Sequence, residues 1–233
     1  MRDLRLIPAY AALTALSILP LAGCSWIDGD RISSDFHATI ANAPATIQVD
    51  NAVGSIDIEA WDKPSVEINA TKRGPNYDTV NAIKISVEPS GSTLTVNTQF
   101  PTMSTNAKVE YTIHAPAHTD LKLVQSVGAI KSIGFTGNVE EHTSTGAVEA
   151  TMARLGGSQR LNIDVSVGAI RLTLPSTTDA AITATTSVGG IKTDFPLSID
   201  KTVVGQYARG KVGDGTAVAE LNVSTGGIEI QRE

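Results

Sequence analysis

One glycine-centred phrase occurs six times between residues 52 and 228 of the sequence. It reads Ser-Val-Gly-Ala-Ile at Ser126–Ile130 and Ser166–Ile170, and the other four copies each differ at one or two positions. From the second copy to the fifth, the steps are 18, 22 and 21 residues. Repeats of this length with strand-like flanks are typical of stacked β architectures, in which each copy covers its neighbour's apolar face. The repeated glycines are Gly54, Gly128, Gly146, Gly168, Gly189 and Gly226.

The apolar pattern changes phase at each of these glycines. In one copy, odd-numbered residues from Ile163 to Val167 are apolar, whereas even-numbered residues from Ile170 to Leu174 are apolar after Gly168. A strand of period two cannot change phase without an extra residue, so the glycine and its successor predict a bend or bulge. Glycine suits a bend because it tolerates positive φ and lets a neighbouring backbone approach closely. The pattern predicts that the residues just before the glycines face inward, namely Val53, Val127, Val167, Val188 and Thr225.

The rest of the body also has strand periodicity. Beyond Phe36 the sequence contains no convincing helix, although residues 77–81 permit one helical turn. Apolar residues alternate on both sides of the turn Pro89–Ser92, which predicts a hairpin. The fold class predicted is therefore all-β, specifically a β-solenoid or β-helix-like repeat with glycine corners. The alternative is an antiparallel β-sandwich with glycine turns.

The N-terminus has the three regions of a secretory signal. Arg2 and Arg5 precede an apolar run at residues 6–19, and the segment ends in Leu-Ala-Gly-Cys at Cys24. That ending resembles the lipobox of bacterial lipoproteins, and the resemblance implies cleavage before Cys24 and lipidation of that residue. An uncleaved membrane helix is the alternative for residues 6–23. We expect a signal peptide at 1–23, a lipidated cysteine and tether at 24–36, and one domain at 37–233. Ser25 follows the cysteine, and we expect anchoring in the bacterial cell envelope at the outer membrane.

A charged residue lies three positions after each repeat glycine, and the alternation predicts that all six point outward. Adjacent strands lie about 4.8 Å apart, so Lys131–Glu149 and Glu149–Arg171 are candidate ion pairs between neighbouring copies. Such pairs contribute roughly 0.2–1 kcal/mol each. A solvated ladder that fixes the strand register is one interpretation, and a recognition strip is the other. The six residues are Asp57, Lys131, Glu149, Arg171, Lys192 and Glu229.

The sequence predicts no catalytic residue, no metal site and no cofactor. Five serines recur two positions before the glycines, but none lies in a Gly-x-Ser-x-Gly elbow. His114 and His118 are four residues apart, and Pro116 between them prevents the helix that would bring both onto one metal ion. Glu140, Glu141 and His142 are expected at a solvated edge. The formal net charge of −6 argues against nucleic acid as a partner.

Three stretches together resemble a known family. They are the strand Tyr111–Pro116 ending in a proline turn, the Ser-x-Gly-x-Ile phrases, and the closing Gly-Asp-Gly…Leu-Asn-Val-Ser-Thr-Gly-Gly-Ile-Glu-Ile. Across residues 37–233 they resemble the bacterial putative-adhesin family, a domain of unknown function that often has Gly-Asp-Ile where this chain has Gly-Ala-Ile or Gly-Gly-Ile. The resemblance implies a β-solenoid-like fold and transfers no site residue.

Three functions follow as hypotheses. The first is a non-enzymatic envelope lipoprotein that presents its β surface for adhesion or for binding an envelope or extracellular partner. The second is an enzyme acting on polysaccharide, which rests on fold analogy alone. The third is a structural spacer in the envelope. The membrane, reached through the N-terminal lipid, is the partner that the sequence itself predicts.

Overall fold

The computed structural model describes residues 32–101 and 106–233. The predicted signal peptide and Cys24 lie outside the described residues. The described residues form fourteen strands and one short helix: β1 Ile32–Ile40, β2 Thr46–Trp61, β3 Val66–Gly74, α1 Tyr77–Ala82, β4 Lys84–Ser90, β5 Thr93–Gln99, β6 Lys108–Pro116, β7 Asp120–Phe135, β8 Val139–Met152, β9 Arg160–Leu174, β10 Ala180–Val188, β11 Ile191–Thr193, β12 Ser198–Lys201, β13 Gln206–Val212 and β14 Ala217–Arg232.

All fourteen strands belong to one mixed sheet, so the all-β class predicted from the sequence is confirmed. The strand order is β1-β3-β6-β2-β7-β8-β9-β14-β10-β13-β12, with β4, β5 and β11 paired beside this path. The middle of the order, from β6 to β10, is parallel. The strands at both ends pair antiparallel.

Each long parallel strand bends at its glycine and buries side chains on both sides of the bend. In β9, inward residues alternate through the first arm, Leu161–Val165, and again through the second arm, Ile170–Leu174, while none of residues 166–169 is buried. One hydrophobic core contains the inward residues of both arms. The bend therefore occupies four residues. The expectation that Val53, Val127, Val167, Val188 and Thr225 face inward is wrong, because all five lie within this exposed bend.

Short connections join the parallel strands. Only residues 136–138 separate β7 from β8, and residues 153–159 separate β8 from β9. A straight strand needs a crossover of a dozen or more residues before a parallel partner can begin. Here a few residues suffice after β7, because the chain that leaves this strand lies beside the chain that enters it, and the Thr136 N–H donates to the Ala117 carbonyl at 2.7 Å.

The last strand does not follow sequence order. β14 pairs with β9 on one side and with β10 on the other, so it separates two strands that are consecutive in the chain. The Asp179 carboxylate, just before β10, accepts hydrogen bonds from the Gly215 backbone N–H at 2.6 Å and from the Thr216 hydroxyl at 2.7 Å. These bonds hold the start of β14 against the start of β10. They also hold the pKa of Asp179 below its ordinary value, mainly through the Thr216 hydroxyl.

The predicted hairpin is confirmed, because β4 and β5 pair antiparallel around a turn at Gly91 with φ 59°. The helical turn is present as α1, whose first turn is capped by the Asn76 side chain accepting from the Thr79 N–H at 2.8 Å.

β1 begins at Ile32, five residues before the predicted domain start at 37, and alternate residues along it turn towards the core. Within residues 32–101 and 106–233, no helix has the length and apolarity needed to cross a bilayer.

Candidate binding face

The six repeat glycines stack in one row along the sheet. Their order in space is Gly54, Gly128, Gly146, Gly168, Gly226 and Gly189, and each has a φ between 133° and 150°. A Cβ on any glycine after the first would overlap the carbonyl oxygen of the preceding glycine in the row. The row thus needs glycine twice over, for its positive φ and for the close approach of neighbouring backbones.

Polar side chains inside the core bind backbone carbonyls at the bend. The Asn51 amide donates to the Val109 carbonyl at 2.9 Å and to the Gln125 side-chain oxygen at 3.1 Å, and Gln125 donates to the Val127 carbonyl at 2.7 Å. The Thr186 hydroxyl donates to a glycine carbonyl of the row at 3.1 Å. All of these side chains are buried. They satisfy carbonyl groups that the bend would otherwise leave unpaired inside the protein.

Three parallel rows of side chains cover the outside of the stack, and we call them together the ladder face. The apolar row lies one residue before the glycines, and its four valines are between 37% and 50% exposed. The small row lies one residue after the glycines, and the charge ladder lies three residues after them. In spatial order the apolar row is Val53, Val127, Thr145, Val167, Thr225 and Val188, and the small row is Ser55, Ala129, Ala147, Ala169, Gly227 and Gly190.

The charge ladder alternates in sign along its whole length. Register pairs place the residues in the order Asp57, Lys131, Glu149, Arg171, Glu229 and Lys192. The alternation exists because β14 brings Glu229 between Arg171 and Lys192, which would otherwise be neighbours of like charge. Arg171 and Glu229 form a salt bridge at 3.4 Å, between side chains that are 55% and 36% exposed.

The ion pairs predicted from sequence order do not form. Lys131 and Glu149 are partners in register, as are Glu149 and Arg171, but neither pair is among the salt bridges of the described residues. Arg171 turns instead to the carboxylate of the inserted strand. Chain order alone does not reveal that Glu229 lies beside Arg171.

Two cavities open on the ladder face. The larger, of about 490 Å³, is lined by the small row at Ala147, Ala169, Gly227 and Gly190 and by the four ladder charges from Glu149 to Lys192. Gln206 of β13 forms one end, where its side-chain oxygen accepts a hydrogen bond from the Ile191 N–H at 2.7 Å.

The smaller cavity, of about 310 Å³, contains the other two ladder residues, Asp57 and Lys131, together with Glu59 and His114. Burial raises the pKa of Asp57, Lys131 lowers it and Glu110 raises it further. The six ladder charges therefore all line one of two recesses on the same face of the domain.

Glu141 occupies a place that the sequence reasoning missed. Its neighbours Glu140 and His142 are exposed as expected, but Glu141 is fully buried and neither of its carboxylate oxygens has a hydrogen-bond partner among the described residues. It lies in register between Leu123 and Ile163. Burial raises its pKa to about 7, although the nearby Ser132 hydroxyl offsets part of the effect.

The structure does not assemble the other candidates into a reactive site. His114 stacks on Trp61 with ring centroids 5.3 Å apart, and its Nε2 lies 4.0 Å from Glu59. The repeat serines lie exposed in the bend, one residue before the apolar row. In the part of the chain that the structure describes, no three histidine, cysteine or carboxylate side chains are grouped to hold a metal ion.

Comparison with known proteins shows the fold. No protein-family model matches the chain, and no curated protein sequence matches it. The crystal structure of a putative cell adhesion protein from Clostridium sporogenes is 17% identical, covers 87% of this chain and 100% of its own, and superposes with a TM-score of 0.63. At that identity the likeness shows that the two proteins share a fold.

Other solved structures align over similar lengths with lower scores. A putative adhesin from Bacteroides fragilis is 12% identical, covers 84% of this chain and 97% of its own, and has a TM-score of 0.38. A putative lipid binding protein from Parabacteroides distasonis is 12% identical, covers 85% and 96%, and has a TM-score of 0.26.

Proposed function

We propose that this chain is a non-enzymatic lipoprotein of the bacterial cell envelope, whose ladder face binds a partner in adhesion. The observation that carries the proposal is the ladder face itself. Four partly exposed valines lie along one row and are interrupted only by threonine, and exposed apolar side chains that are grouped on one face rather than scattered point to an interaction site. Beside them lie small residues and a strip of charged residues, which give such a surface specificity.

The domain that carries this face is, on this proposal, a short β-solenoid in which each bent strand forms most of one coil. Three observations support it: the parallel register from β2 to β14, the unbroken row of glycines, and connections as short as three residues. The antiparallel pairs at both ends act as caps, because they cover the open edges of the parallel stack.

Anchoring follows from the sequence. The lipobox ending at Cys24 supports lipidation, and lipid attached there would hold the domain at the membrane, because acyl chains contribute roughly 0.8 kcal/mol per buried CH₂. Ser25 supports the outer membrane as the location. The Clostridium protein that shares this fold is named a putative cell adhesion protein, which is the reason for testing adhesion first.

Anchoring is tested by fractionating cells that make Cys24→Ser. We expect the variant to leave the membrane fraction in high salt, where the parent chain stays. Retention of the variant would refute lipid anchoring.

Binding is tested by placing the photo-crosslinking residue benzoylphenylalanine at Val167, in the centre of the apolar row. The matched control is the same residue at Tyr77, which is 69% exposed on α1 and outside the ladder face. We expect covalent adducts on illumination of intact cells from Val167 and not from Tyr77. Equal yields from both positions, or none from Val167, would remove the support for a binding face.

A further inference from the structure

We infer that the partner of the ladder face is a second copy of this chain, bound through a two-fold axis that runs parallel to the strands between β8 and β9. The inference rests on the proposed function, since it names the partner of the face proposed there. It begins from the ladder, which has six charges of strictly alternating sign in register.

Two copies can face each other with their ladders in line in two ways. If the two-fold axis runs along the stack, every residue meets its own copy and six like-charge pairs result. If the axis runs along the strands, the order of one ladder is reversed against the other. Asp57 then meets Lys192, Lys131 meets Glu229, and Glu149 meets Arg171. Because the signs alternate and the ladder has an even number of charges, every charge in the reversed arrangement faces one of opposite sign. In the other arrangement every charge faces one of like sign, which disfavours it.

The complementarity depends on the strand order. In chain order the signs from Asp57 to Glu229 would read minus, plus, minus, plus, plus, minus. Reversed against itself, that series matches like charges at four of its six positions. The insertion of β14 between β9 and β10 exchanges the last two members and makes all six positions opposite in sign.

The neighbouring rows accept the same arrangement. Reversal of the apolar row places valine or threonine opposite valine or threonine at each rung, as where Thr145 meets Val167. The two cavities leave room beside the ladder for the long side chains of the second copy. Six rungs span about 24 Å at about 4.8 Å per rung, a narrow strip that fits a weak contact rather than an obligate dimer. Anchoring both copies in one membrane would raise their effective concentration.

The proposal is tested in membranes from cells making the full chain, with a short bismaleimide as the crosslinker. Two small-row variants are compared, Ala169→Cys and Ser55→Cys, both of which change few atoms. On reversal, Ala169 lies one rung from its own copy, whereas Ser55 lies five rungs away, about 24 Å. We expect a crosslinked dimer from Ala169→Cys and none from Ser55→Cys.

Charge variants in the Ala169→Cys background test the facing pairs. Lys131→Glu alone and Glu229→Lys alone each set like charges opposite one another at two positions, and each should lose at least four-fifths of the crosslinked dimer. The double variant restores every facing pair while it destroys the alternation within each chain, and it should recover the dimer. Co-expression of the two single variants should yield mixed dimers, since every facing pair is then opposite in sign.

Three results would each overturn the inference. They are equal crosslinking of Ala169→Cys and Ser55→Cys, no crosslinked dimer from Ala169→Cys, and a double variant that does not recover the crosslinked dimer. If Val167 captures a different protein while Ala169→Cys gives no dimer, this inference fails and the proposed binding function stands. If neither position gives an adduct, both fail.

Discussion

The buried carboxyl of Glu141 predicts an unusual dependence of stability on pH. Glu141 is fully buried, its oxygens have no hydrogen-bond partner within residues 32–101 and 106–233, and burial raises its pKa from 4.5 to about 7. Folding therefore favours the protonated acid. The substitution that tests this is Glu141→Gln, because an amide has nearly the shape of the neutral acid and does not titrate.

The size of the effect follows from the two pKa values. A shift from 4.5 to about 7 corresponds to about 3 kcal/mol, at about 1.4 kcal/mol per pH unit. Because the carboxyl is fully buried, water does not screen the charge of its ionised form. For a domain of about 200 residues this is a change in Tm of about 6–12 °C.

The sign is opposite to that of an ion-paired carboxylate. The unfolded chain releases its proton near pH 4.5, whereas the folded chain keeps it to about pH 7. The contribution of Glu141 to stability is thus fully present below pH 4.5 and is lost as the pH rises to about 7. Above that pH, the parent chain carries a buried charge that Glu141→Gln lacks.

The assay is urea unfolding of the parent chain and the variant between pH 4.5 and 8. The difference in unfolding free energy should move by about 3 kcal/mol in favour of Glu141→Gln across that range. The control is Glu140→Gln, one residue away on the same strand, whose exposed carboxylate pairs with Lys122 at 3.4 Å. Its difference from the parent should stay within about 0.5 kcal/mol. A difference for Glu141→Gln that is independent of pH would refute the reasoning.

Three further predictions concern the bend and the inserted strand. In Gly168→Ala the new Cβ would overlap a neighbouring carbonyl at a backbone φ of 146°, so thermal melts should show a loss of about 2 kcal/mol or more of stability. The control is Gly190→Ala, whose Cβ would lie in open space. Its stability should stay within about 0.5 kcal/mol of the parent. Thr186→Val removes a buried donor to a backbone carbonyl and should cost about 1–3 kcal/mol, against a much smaller change for Thr183→Val on the outer side of the same strand. Asp179→Ala should lower the Tm at neutral pH, and the deficit should shrink as the pH falls, because the stability from a carboxylate with a lowered pKa is lost on protonation.

Each of these has a contrary result that would count against it. Equal melting of the two glycine variants would mean that close approach in the row is not limiting. Equal effects at positions 186 and 183 would remove the carbonyl-capping role. A deficit of Asp179→Ala that is constant with pH would mean that its hydrogen bonds do not depend on the charge.

The local features of the fold were predictable because they depend on near neighbours in sequence. Strand periodicity, the hairpin and the bend at each glycine all follow from alternation and from the shift of phase. What periodicity cannot say is where within the bend the extra residues lie. Four positions separate the inward-facing residues of the two arms, and the apolar side chain of Val167 suggested that it faces the core. Because the bend exposes these residues, the apolar row does not follow from the alternation.

The alternation along β8 predicts that Glu141 is buried, but its residue type argues for an exposed position. Glutamate is almost never fully buried without a partner, which favoured a solvated edge. Its position between Val139 and Thr143 nevertheless keeps the inward phase of the strand. The order of the strands left no comparable signal, since the insertion of β14 depends on contacts such as Asp179 with Thr216, 37 residues apart.

The strand order bears on the role of the six ladder charges. If the ladder served only to pair neighbouring strands within one chain, most neighbours would be expected to meet. Among the described residues Arg171 and Glu229 alone do so, at 3.4 Å and partly exposed to solvent, where a pair contributes at most about 1 kcal/mol. The alternation extends over all six rungs nonetheless, and it arises from a strand that is out of sequence order. A surface that must match a partner across its whole length accounts for both facts, because an ion pair that fails to close within one chain leaves each charge free for a facing one.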